Sequence, residues 1–230
     1  MKELAKKTIR NLICVSNSNK NKLVDLGFDT KKISVIPNAV NKDLFKPSDK
    51  TKSKAKLGYS ERDFIVGFVG HFINRKGPNR IIAAIEKLND PQIKLVCVGN
   101  GGELIPSLFT KVIEPKPNHM LPDIYNAFDV FVLPTLSEGH CNAIEEAKAC
   151  AIPIISSLGT SVEEQVNENF SILVDPLDID SIAKSIALLK KNEELLVSYT
   201  NYLKSSDSVF CISERSMKVR RVMESSITKS

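Results

Sequence analysis

The sequence lacks any apolar run of the roughly 18 to 20 residues that a membrane-spanning helix needs. Its first seven residues, 1–7, also lack the apolar core of a secretory signal peptide. These two absences predict a cytoplasmic protein. Peripheral attachment at the inner membrane surface is the closest approach to a bilayer that we expect.

Cysteine is too scattered for a disulfide framework. The five cysteines are far apart, odd in number and mostly placed inside apolar runs, so their spacing fits neither paired disulfides nor a zinc site. We expect reduced thiols that serve as small apolar side chains. They are Cys14, Cys97, Cys141, Cys150 and Cys211.

The chain also lacks the strong positive charge of a nucleic-acid binder. Its net charge of +5 is mild, and lysine and arginine are spread out without interleaved aromatic residues. Nucleotide phosphates and an anionic membrane surface remain compatible with this charge. With 42% hydrophobic and 26% charged residues among 230, the composition is typical of a globular protein.

Strand and helix patterns alternate along the sequence. Residues 12–36 predict a β-α-β unit, and the polar, lysine-rich stretch 46–60 predicts a linker with one short helix and a domain boundary near residue 47. Beyond it, near-continuous apolar strands alternate with amphipathic helices as far as residue 189. This pattern is typical of a parallel sheet that is covered on both faces. It predicts a doubly wound, Rossmann-like α/β fold.

Short helices within this alternation and helices at both ends of the chain are also predicted. They include a basic helix over residues 2–10, a short helix over 105–109, a helix over 161–166 and two tail helices over 193–202 and 212–226. The last tail helix has apolar and charged residues on different faces. This favours a helix that packs on the protein over one that lies on a membrane.

The most informative stretch is the junction between the apolar strand Val130–Leu133 and the helix that starts near Asn142. Ligands of open α/β sheets bind beyond the carboxyl ends of strands, and the N–H groups at a helix start attract anions. Glu138 and Glu146 flank this junction, where they could accept hydrogen bonds from sugar hydroxyls. Capping of the helix is the alternative role for Glu138.

The helical phase distinguishes the two adjacent glutamates. Ala147 should face the sheet, whereas Glu145 should form a solvated pair with Lys148 at spacing i, i+3. Glu146 lies one turn above Asn142, towards the loop. The phase therefore favours Glu146 as the second ligand-facing carboxylate.

Two earlier strand ends are also candidates for ligand binding. In residues 70–78, Gly70 would let the backbone approach a ligand and Lys76 would supply a positive charge for a diphosphate, although such loops are common. Residues 98–102 are glycine-rich but lack the G-x-G-x-x-G spacing of a phosphate-binding loop. A flexible turn, or a loop that lets a base or sugar approach the backbone, explains them equally well.

Two further motifs have structural explanations. Asp178 and Asp180 form a D-x-D sequence, but they stand at a predicted helix start, where capping is expected. His119 and His140 have no cysteine or carboxylate partner at metal-ligand spacing, so we interpret them as polar loop residues.

Three stretches carry a family resemblance. Residues 35–47 read V-I-P-N-A-V-N…F-K-P, residues 70–77 read G-H-F-I-N-R-K-G, and residues 138–147 contain the spacing E-x7-E. Together they resemble the retaining, nucleotide-sugar-dependent glycosyltransferases of family 4. Such enzymes have the GT-B fold, in which two Rossmann-like domains face each other.

The resemblance implies a catalytic role for two residues: Lys76 would bind the donor diphosphate, and Glu138 would bind hydroxyls of the donor sugar. Glu146 would hold the nucleotide ribose, and backbone amides of residues 139–142 would meet sugar and phosphate oxygens. The leaving diphosphate would be stabilised without a metal or cofactor, and the sugar would pass to an acceptor hydroxyl with retained configuration. The implied donor-binding residues are Gly70, His71, Arg75, Gly139, His140, Cys141, Asn142 and Glu146.

The sequence departs from the family pattern at four positions. The family arginine is His71, a weaker and pH-sensitive charge that neighbouring Arg75 could replace. Two family glycines are Ala39 and Ala151, which are mild changes wherever the backbone keeps a negative φ. An aromatic residue is replaced by His140, which alters the shape of the sugar or acceptor side.

The resemblance covers mainly the donor half of such an enzyme. It implies that residues 1–47 are the end of an incomplete acceptor-type domain, 48–205 the donor-binding domain, and 206–230 a helix that packs towards the missing domain. Expected partners are a nucleotide-diphosphate sugar, an unidentified saccharide or lipid-linked saccharide acceptor, and a complementary N-terminal chain. The alternatives are a non-catalytic nucleotide-sugar-binding module and an inactive gene fragment.

Overall fold

Residues 8–227 are described in the computed structural model of the protein. The basic helix predicted over residues 2–10 therefore lies largely outside the described residues. Within them, none of the helices is both long and apolar enough to cross a bilayer.

The described chain begins with the predicted β-α-β unit. Strands β1 (Leu12–Cys14) and β2 (Ile33–Val35) pair in parallel. In sequence they precede and follow helix α1 (Asn17–Asp25). The side chain of Ser16 accepts the N–H of Asn19 and thereby caps α1. A short 3-10 turn over Thr30–Lys32 precedes β2.

Six further strands form one parallel sheet, as predicted. They are β3 (Phe64–Val69), β4 (Ile93–Val98), β5 (Thr110–Ile113), β6 (Val130–Leu133), β7 (Ile154–Ser157) and β8 (Ser171–Val174). Their order in the sheet is β5-β4-β3-β6-β7-β8, and every neighbouring pair is parallel. The winding direction reverses between β3 and β6. Ligands of doubly wound proteins bind at the carboxyl ends of the strands at this switch point.

Helices cover the sheet and continue into the tail. They are α2 (Lys50–Lys56), α3 (Pro78–Leu88), α4 (Leu121–Tyr125), α5 (Asn142–Ala149), α6 (Ile179–Lys191), α7 (Glu193–Ser205) and α8 (Ile212–Ile227). Asp178 caps α6 by accepting the N–H groups of Asp180 and Ser181, which confirms the capping interpretation of the D-x-D sequence.

Two predicted helices differ from the structure, one by its absence and one by its type. Residues 105–109 form no helix, because Asn79 holds this segment from α3: its Oδ1 accepts the N–H of Ile105 at 2.9 Å and its Nδ2 donates to the carbonyl of Glu103 at 3.2 Å. The α-helix predicted over 161–166 is a 3-10 turn, Ser161–Gln165.

The lysine-rich stretch before β3 contains the predicted short helix, but it packs closely on the sheet domain. Lys54 of α2 forms an ion pair with Asp129 at 2.7 Å, and both side chains are buried. Just before this stretch, Phe45 is also buried and meets the ring of Tyr125 edge-on at 5.8 Å. Residues 40–56 thus contribute to the core around β3 and β6.

One replacement of a family glycine falls at a strained position. Ala151, two residues after the end of α5, has φ +57, in the left-handed region that favours glycine. The replacement of the family glycine by alanine is therefore not a mild change at residue 151, because the backbone there does not have a negative φ.

Helix α8 lies beside the N-terminal β-α-β unit. Arg215 Nε donates to the carbonyl of Pro37 at 3.0 Å, and Arg10 Nη1 donates to the carbonyl of Ser226 at 2.9 Å. None of its described residues is buried. Exposed apolar residues are Ile212, Met217, Met223 and Ile227.

Candidate functional site

The loops that follow β3 and β6 meet at the switch point of the sheet. The carbonyl of Arg75 accepts the hydroxyl of Thr135 at 3.1 Å and the N–H of Leu136 at 2.8 Å. Arg80, at the start of α3, donates from Nη2 to the carbonyl of Pro134 at 2.7 Å. These bonds join two segments that are about 60 residues apart in sequence.

Charged side chains from the two loops converge on one carboxylate. Glu138 Oε1 lies 3.2 Å from Lys76 Nζ and 3.0 Å from Arg75 Nη1. Only 15% of the Lys76 side chain and 12% of the Glu138 side chain are exposed, compared with 45% for Arg75. The carboxylate of Glu138 engages these cations, while α5 has Cys141 at its N-cap position. Capping by Glu138 is therefore not observed.

A cavity of about 420 Å³ opens next to Lys76, between the ends of β3 and β4 and the segment before α4. This volume is in the range of small-molecule pockets. Arg75 is not among its lining residues and points instead to Glu138 and the carbonyl of Ser137. The lining includes Gly70, His71, Lys76, Gly99, Asn100, Pro115 and Lys116.

Two glycines let the loops at this cavity approach closely. Gly70 and Gly99 have φ +151 and +153. A Cβ on Gly99 would lie 1.9 Å from the carbonyl oxygen of Gly70, a distance that real atoms do not reach. The glycine-rich ends of β3 and β4 are therefore packed backbone against backbone, which the flexible-turn interpretation of residues 98–102 did not anticipate.

Glu146 and Asn142 line a different cavity, of about 250 Å³. Glu146 is half-buried, and its Oε2 accepts the hydroxyl of Tyr125 at 2.6 Å. Burial raises the pKa of Glu146, and the hydrogen bond from Tyr125 partly opposes this effect. Among the described residues, no ion pair or hydrogen bond joins Glu146 to Lys76 or Glu138.

The neighbouring Glu145 is buried, so the prediction of a solvated pair is wrong. Lys148 Nζ donates to both carboxylate oxygens of Glu145 at 3.1 Å, which confirms the pairing itself, but the two residues are only 5% and 3% exposed. The 3-10 turn Ser161–Gln165 covers this side of α5, and Phe170 lies 5.9 Å below the ammonium of Lys148.

Gln165 is a site residue that the sequence analysis missed. Its Oε1 accepts the N–H of Cys141 at 2.7 Å, and its Nε2 donates to the carbonyl of Cys141 at 3.0 Å and to Glu145 Oε1 at 3.0 Å. One of the amides that the resemblance assigned to a ligand, that of Cys141, is thus bonded to a side chain. The sequence could not predict this role, because a glutamine in a segment with the pattern of a surface helix is expected to face solvent.

His140 lies inside the protein and not in a cavity. Its side chain is 7% exposed, and its Nε2 is 3.8 Å from Glu145 Oε1. Burial lowers the pKa of His140, and nearby Glu145 opposes this effect. The polar-loop interpretation of this histidine is therefore wrong, because its ring belongs to the buried network behind the loop.

The same loop touches the N-terminal β-α-β unit. Asn38 Nδ2 donates to the carbonyl of His140 at 3.2 Å. A Cβ on Gly139 would lie 3.2 Å from Asn19 Nδ2 and 3.4 Å from a methyl group of Val15. The segment between Glu138 and Asn142 is therefore enclosed by both parts of the chain.

Comparison with known proteins identifies the family. The sequence model of the family described as "Glycosyl transferases group 1" matches residues 49–206, which is more than half of the chain. The chain belongs to this family. The matched residues include both loops of the switch point and the Lys76–Glu138 pair.

This member of the group 1 family is shorter than the curated relatives that it matches. It is 32% identical to the UDP-Gal:alpha-D-GlcNAc-diphosphoundecaprenol alpha-1,3-galactosyltransferase of Escherichia coli, in an alignment that covers 94% of this chain and 60% of that protein. It is 30% identical to the D-inositol 3-phosphate glycosyltransferase of Segniliparus rotundus, over 64% of this chain and 36% of the relative. The chain thus spans from about a third to 60% of these relatives.

Solved structures confirm the GT-B glycosyltransferase fold. The structure of HepE from Anabaena, in complex with UDP and glucose, has a TM-score of 0.86 at 18% identity and covers 97% of this chain and 65% of its own. The C-terminal domain of LpcC, a group 1 family protein from Francisella tularensis, has a TM-score of 0.63 at 19% identity, covering 72% of this chain and 95% of its own.

Proposed function

We propose that this chain is the donor-binding half of a retaining, family 4 glycosyltransferase. It would take a hexosyl group from a nucleotide-diphosphate sugar and deliver it to a hydroxyl of a saccharide or lipid-linked saccharide acceptor, as in polysaccharide biosynthesis. The observation that carries this proposal is the Lys76–Glu138 pair at 3.2 Å, beside a ligand-sized cavity at the switch point. The binding of UDP and glucose by Anabaena HepE supports a nucleotide-sugar ligand.

The charges of the pair suit the two parts of such a donor. Lys76 would bind the diphosphate and stabilise the negative charge that develops on it as the sugar departs. Glu138 would accept hydrogen bonds from sugar hydroxyls, and the start of α5 would add backbone amides directed at the phosphates. This mechanism is electrostatic, and we propose that it requires no metal or cofactor.

The proposal divides the chain at residues 47 and 205. Residues 48–205 would bind the donor, residues 1–47 would be the end of an acceptor-binding domain, and α8 would pack towards the rest of that domain. The greater length of the curated relatives supports a second, acceptor-binding half. Acceptor binding, and any contact with the inner membrane surface, would belong mainly to that half.

Titration with UDP, GDP and ADP tests the proposal directly. We expect one of them to bind, and we expect Lys76→Ala to weaken that binding by about ten- to a hundredfold, since a hydrogen bond to a charged group contributes about 1.5 to 3 kcal/mol. Isothermal titration calorimetry measures both effects. Lys191→Ala is the matched control, because this exposed lysine ends α6. Folded protein that binds none of the three at millimolar concentration would refute the proposal.

Replacement of Glu146 should raise the stability of the protein but weaken its binding of a nucleotide. Because burial raises its pKa, the unliganded protein gains stability from this group as the pH falls from neutral towards 4.5, its ordinary value, since the folded state holds the proton more tightly. We expect Glu146→Gln to raise stability at neutral pH, to abolish this pH-dependent gain and to weaken nucleotide binding roughly tenfold.

Urea unfolding between pH 5 and 8 measures the change in stability, and calorimetric titration measures the change in nucleotide affinity. The control is Glu168→Gln, an exposed carboxylate for which neither effect is expected. A Glu146→Gln variant that is less stable than the wild type at pH 8 would contradict the burial argument. Unchanged affinity would contradict the ribose-binding role.

A further inference from the structure

The amide of Gln165 can adopt only one orientation. The N–H of Cys141 requires an acceptor, whereas the carbonyl of Cys141 and the carboxylate of Glu145 both require a donor. Oε1 must therefore face the N–H, and Nε2 must face the two oxygens. The side chain is 95% buried, so water does not replace these bonds easily.

The buried ion pair between Lys148 and Glu145 fixes the position of this amide. Lys148 donates to both oxygens of Glu145, and Glu145 in turn accepts from Gln165 at 3.0 Å. The chain of contacts thus runs from Lys148 through Glu145 and Gln165 to the backbone of Cys141. Cys141 is the residue between the Glu138 loop and the first turn of α5.

The same 3-10 turn also holds the other end of the loop. The hydroxyl of Ser161, its first residue, donates to the carbonyl of Glu138, and Gln165, its last residue, bonds to Cys141. Val162 between them is fully buried in the core. The turn therefore bonds to the loop at Glu138 and at Cys141, and the buried side chain of Val162 fixes the turn itself to the core.

We propose that Gln165 is a positioning residue for the donor-binding loop. It sets the backbone of Cys141, and through it the direction of Glu138 and of the amides at the start of α5. This inference rests on the proposed function, because it assigns the positioned groups to the diphosphate and the sugar. Gln165 does not line the cavity next to Lys76, so it should leave contacts made there by the base unchanged.

The test compares a nucleoside diphosphate with its monophosphate. Among UDP, GDP and ADP, the one that binds the wild type is titrated alongside UMP, GMP or AMP. We expect Gln165→Leu to weaken diphosphate binding about tenfold and monophosphate binding less than twofold, since the lost hydrogen bonds order only the loop at the terminal phosphate. The control is Gln92→Leu, because Gln92 is exposed and lies directly before the amino-terminal end of β4, away from the site. This variant should change neither diphosphate nor monophosphate binding.

A charge-changing variant gives a readout that a purely structural role would not produce. In Gln165→Glu the ionised side chain could accept from Cys141 but could not donate to its carbonyl, and it would face the carboxylate of Glu145. Its diphosphate affinity relative to wild type should fall about tenfold at pH 8 and recover towards pH 5, as the new carboxyl gains a proton that it can donate. Gln92→Glu should show no such recovery.

The outcomes separate the inference from the function on which it rests. Equal weakening of monophosphate and diphosphate binding, or unchanged binding of both, would overturn the positioning role while leaving the proposed function intact. Absence of nucleotide binding by the folded wild type would overturn both. If Gln165→Leu does not fold, the pH dependence of Gln165→Glu and the diphosphate affinity of Ser161→Ala, expected to fall severalfold, decide the question.

Discussion

Replacement of Lys54 by alanine should lower the free energy of unfolding by about 3 to 5 kcal/mol, the usual result of removing one partner of a buried ion pair. The ammonium lies 2.7 Å from Asp129 Oδ2 and also donates to the carbonyl of Asp63 at 2.7 Å. Asp129 would remain almost fully buried, with the N–H of Ile65 and the half-exposed Lys50 as its donors. The loss arises because Asp129 would keep only Lys50, whose side chain is 42% exposed, as a cationic partner for its buried charge.

Urea denaturation of Lys54→Ala and Lys52→Ala measures this effect against a matched control. Both lysines lie in α2, but Lys52 is 80% exposed and pairs with Asp49 at the surface. Surface pairs contribute about 0 to 1 kcal/mol, so Lys52→Ala should lie close to the wild type. Equal losses in the two variants would show that the Lys54–Asp129 pair does not stabilise the fold as described.

Gly99→Ala should strongly destabilise the protein. The residue has φ +153, and the added methyl group would lie 1.9 Å from the carbonyl oxygen of Gly70. Backbone strain and overpacking each cost about 1 to 3 kcal/mol, so we expect a total loss of about 2 to 6 kcal/mol. The loop that carries Gly70 and Lys76 must also move, which should weaken nucleotide binding.

Thermal and urea unfolding of Gly99→Ala and Gly58→Ala separate the two causes. Gly58 has φ +79, but a Cβ there would meet no atom within 4 Å. Its alanine variant should therefore lose only the strain of left-handed backbone, about 1 to 2 kcal/mol. A Gly99→Ala variant no less stable than Gly58→Ala would contradict the close packing of the β3 and β4 ends.

Local sequence patterns predicted most of the sheet domain. Continuous apolar runs predicted its strands, and amphipathic periodicity predicted that α5 begins near Asn142, as observed. The failures involve tertiary contacts that no local pattern contains. Asn79 holds residues 103–105 out of a helix, and Gln165 covers the face of α5 that carries Glu145.

The position of the site was predictable, because topology alone brings together loops that follow neighbouring parallel strands. Lys76 follows β3 and Glu138 follows β6, so these residues could be expected at one edge before any coordinates were known. The direction of individual side chains was not predictable. Arg75 contacts Glu138 and does not line the cavity with His71, because the carbonyl of Ser137 also accepts from it.

The packing of residues 38–45 has a practical consequence for recombining this protein with its relatives. A sequence-based boundary at residue 47 would cut Phe45 away from the ring of Tyr125, and Asn38 away from the loop that contains His140. A hybrid that takes its amino-terminal portion from another family member would preserve these contacts if the crossover preceded residue 36. The seam of such a hybrid is therefore best placed inside the first β-α-β unit.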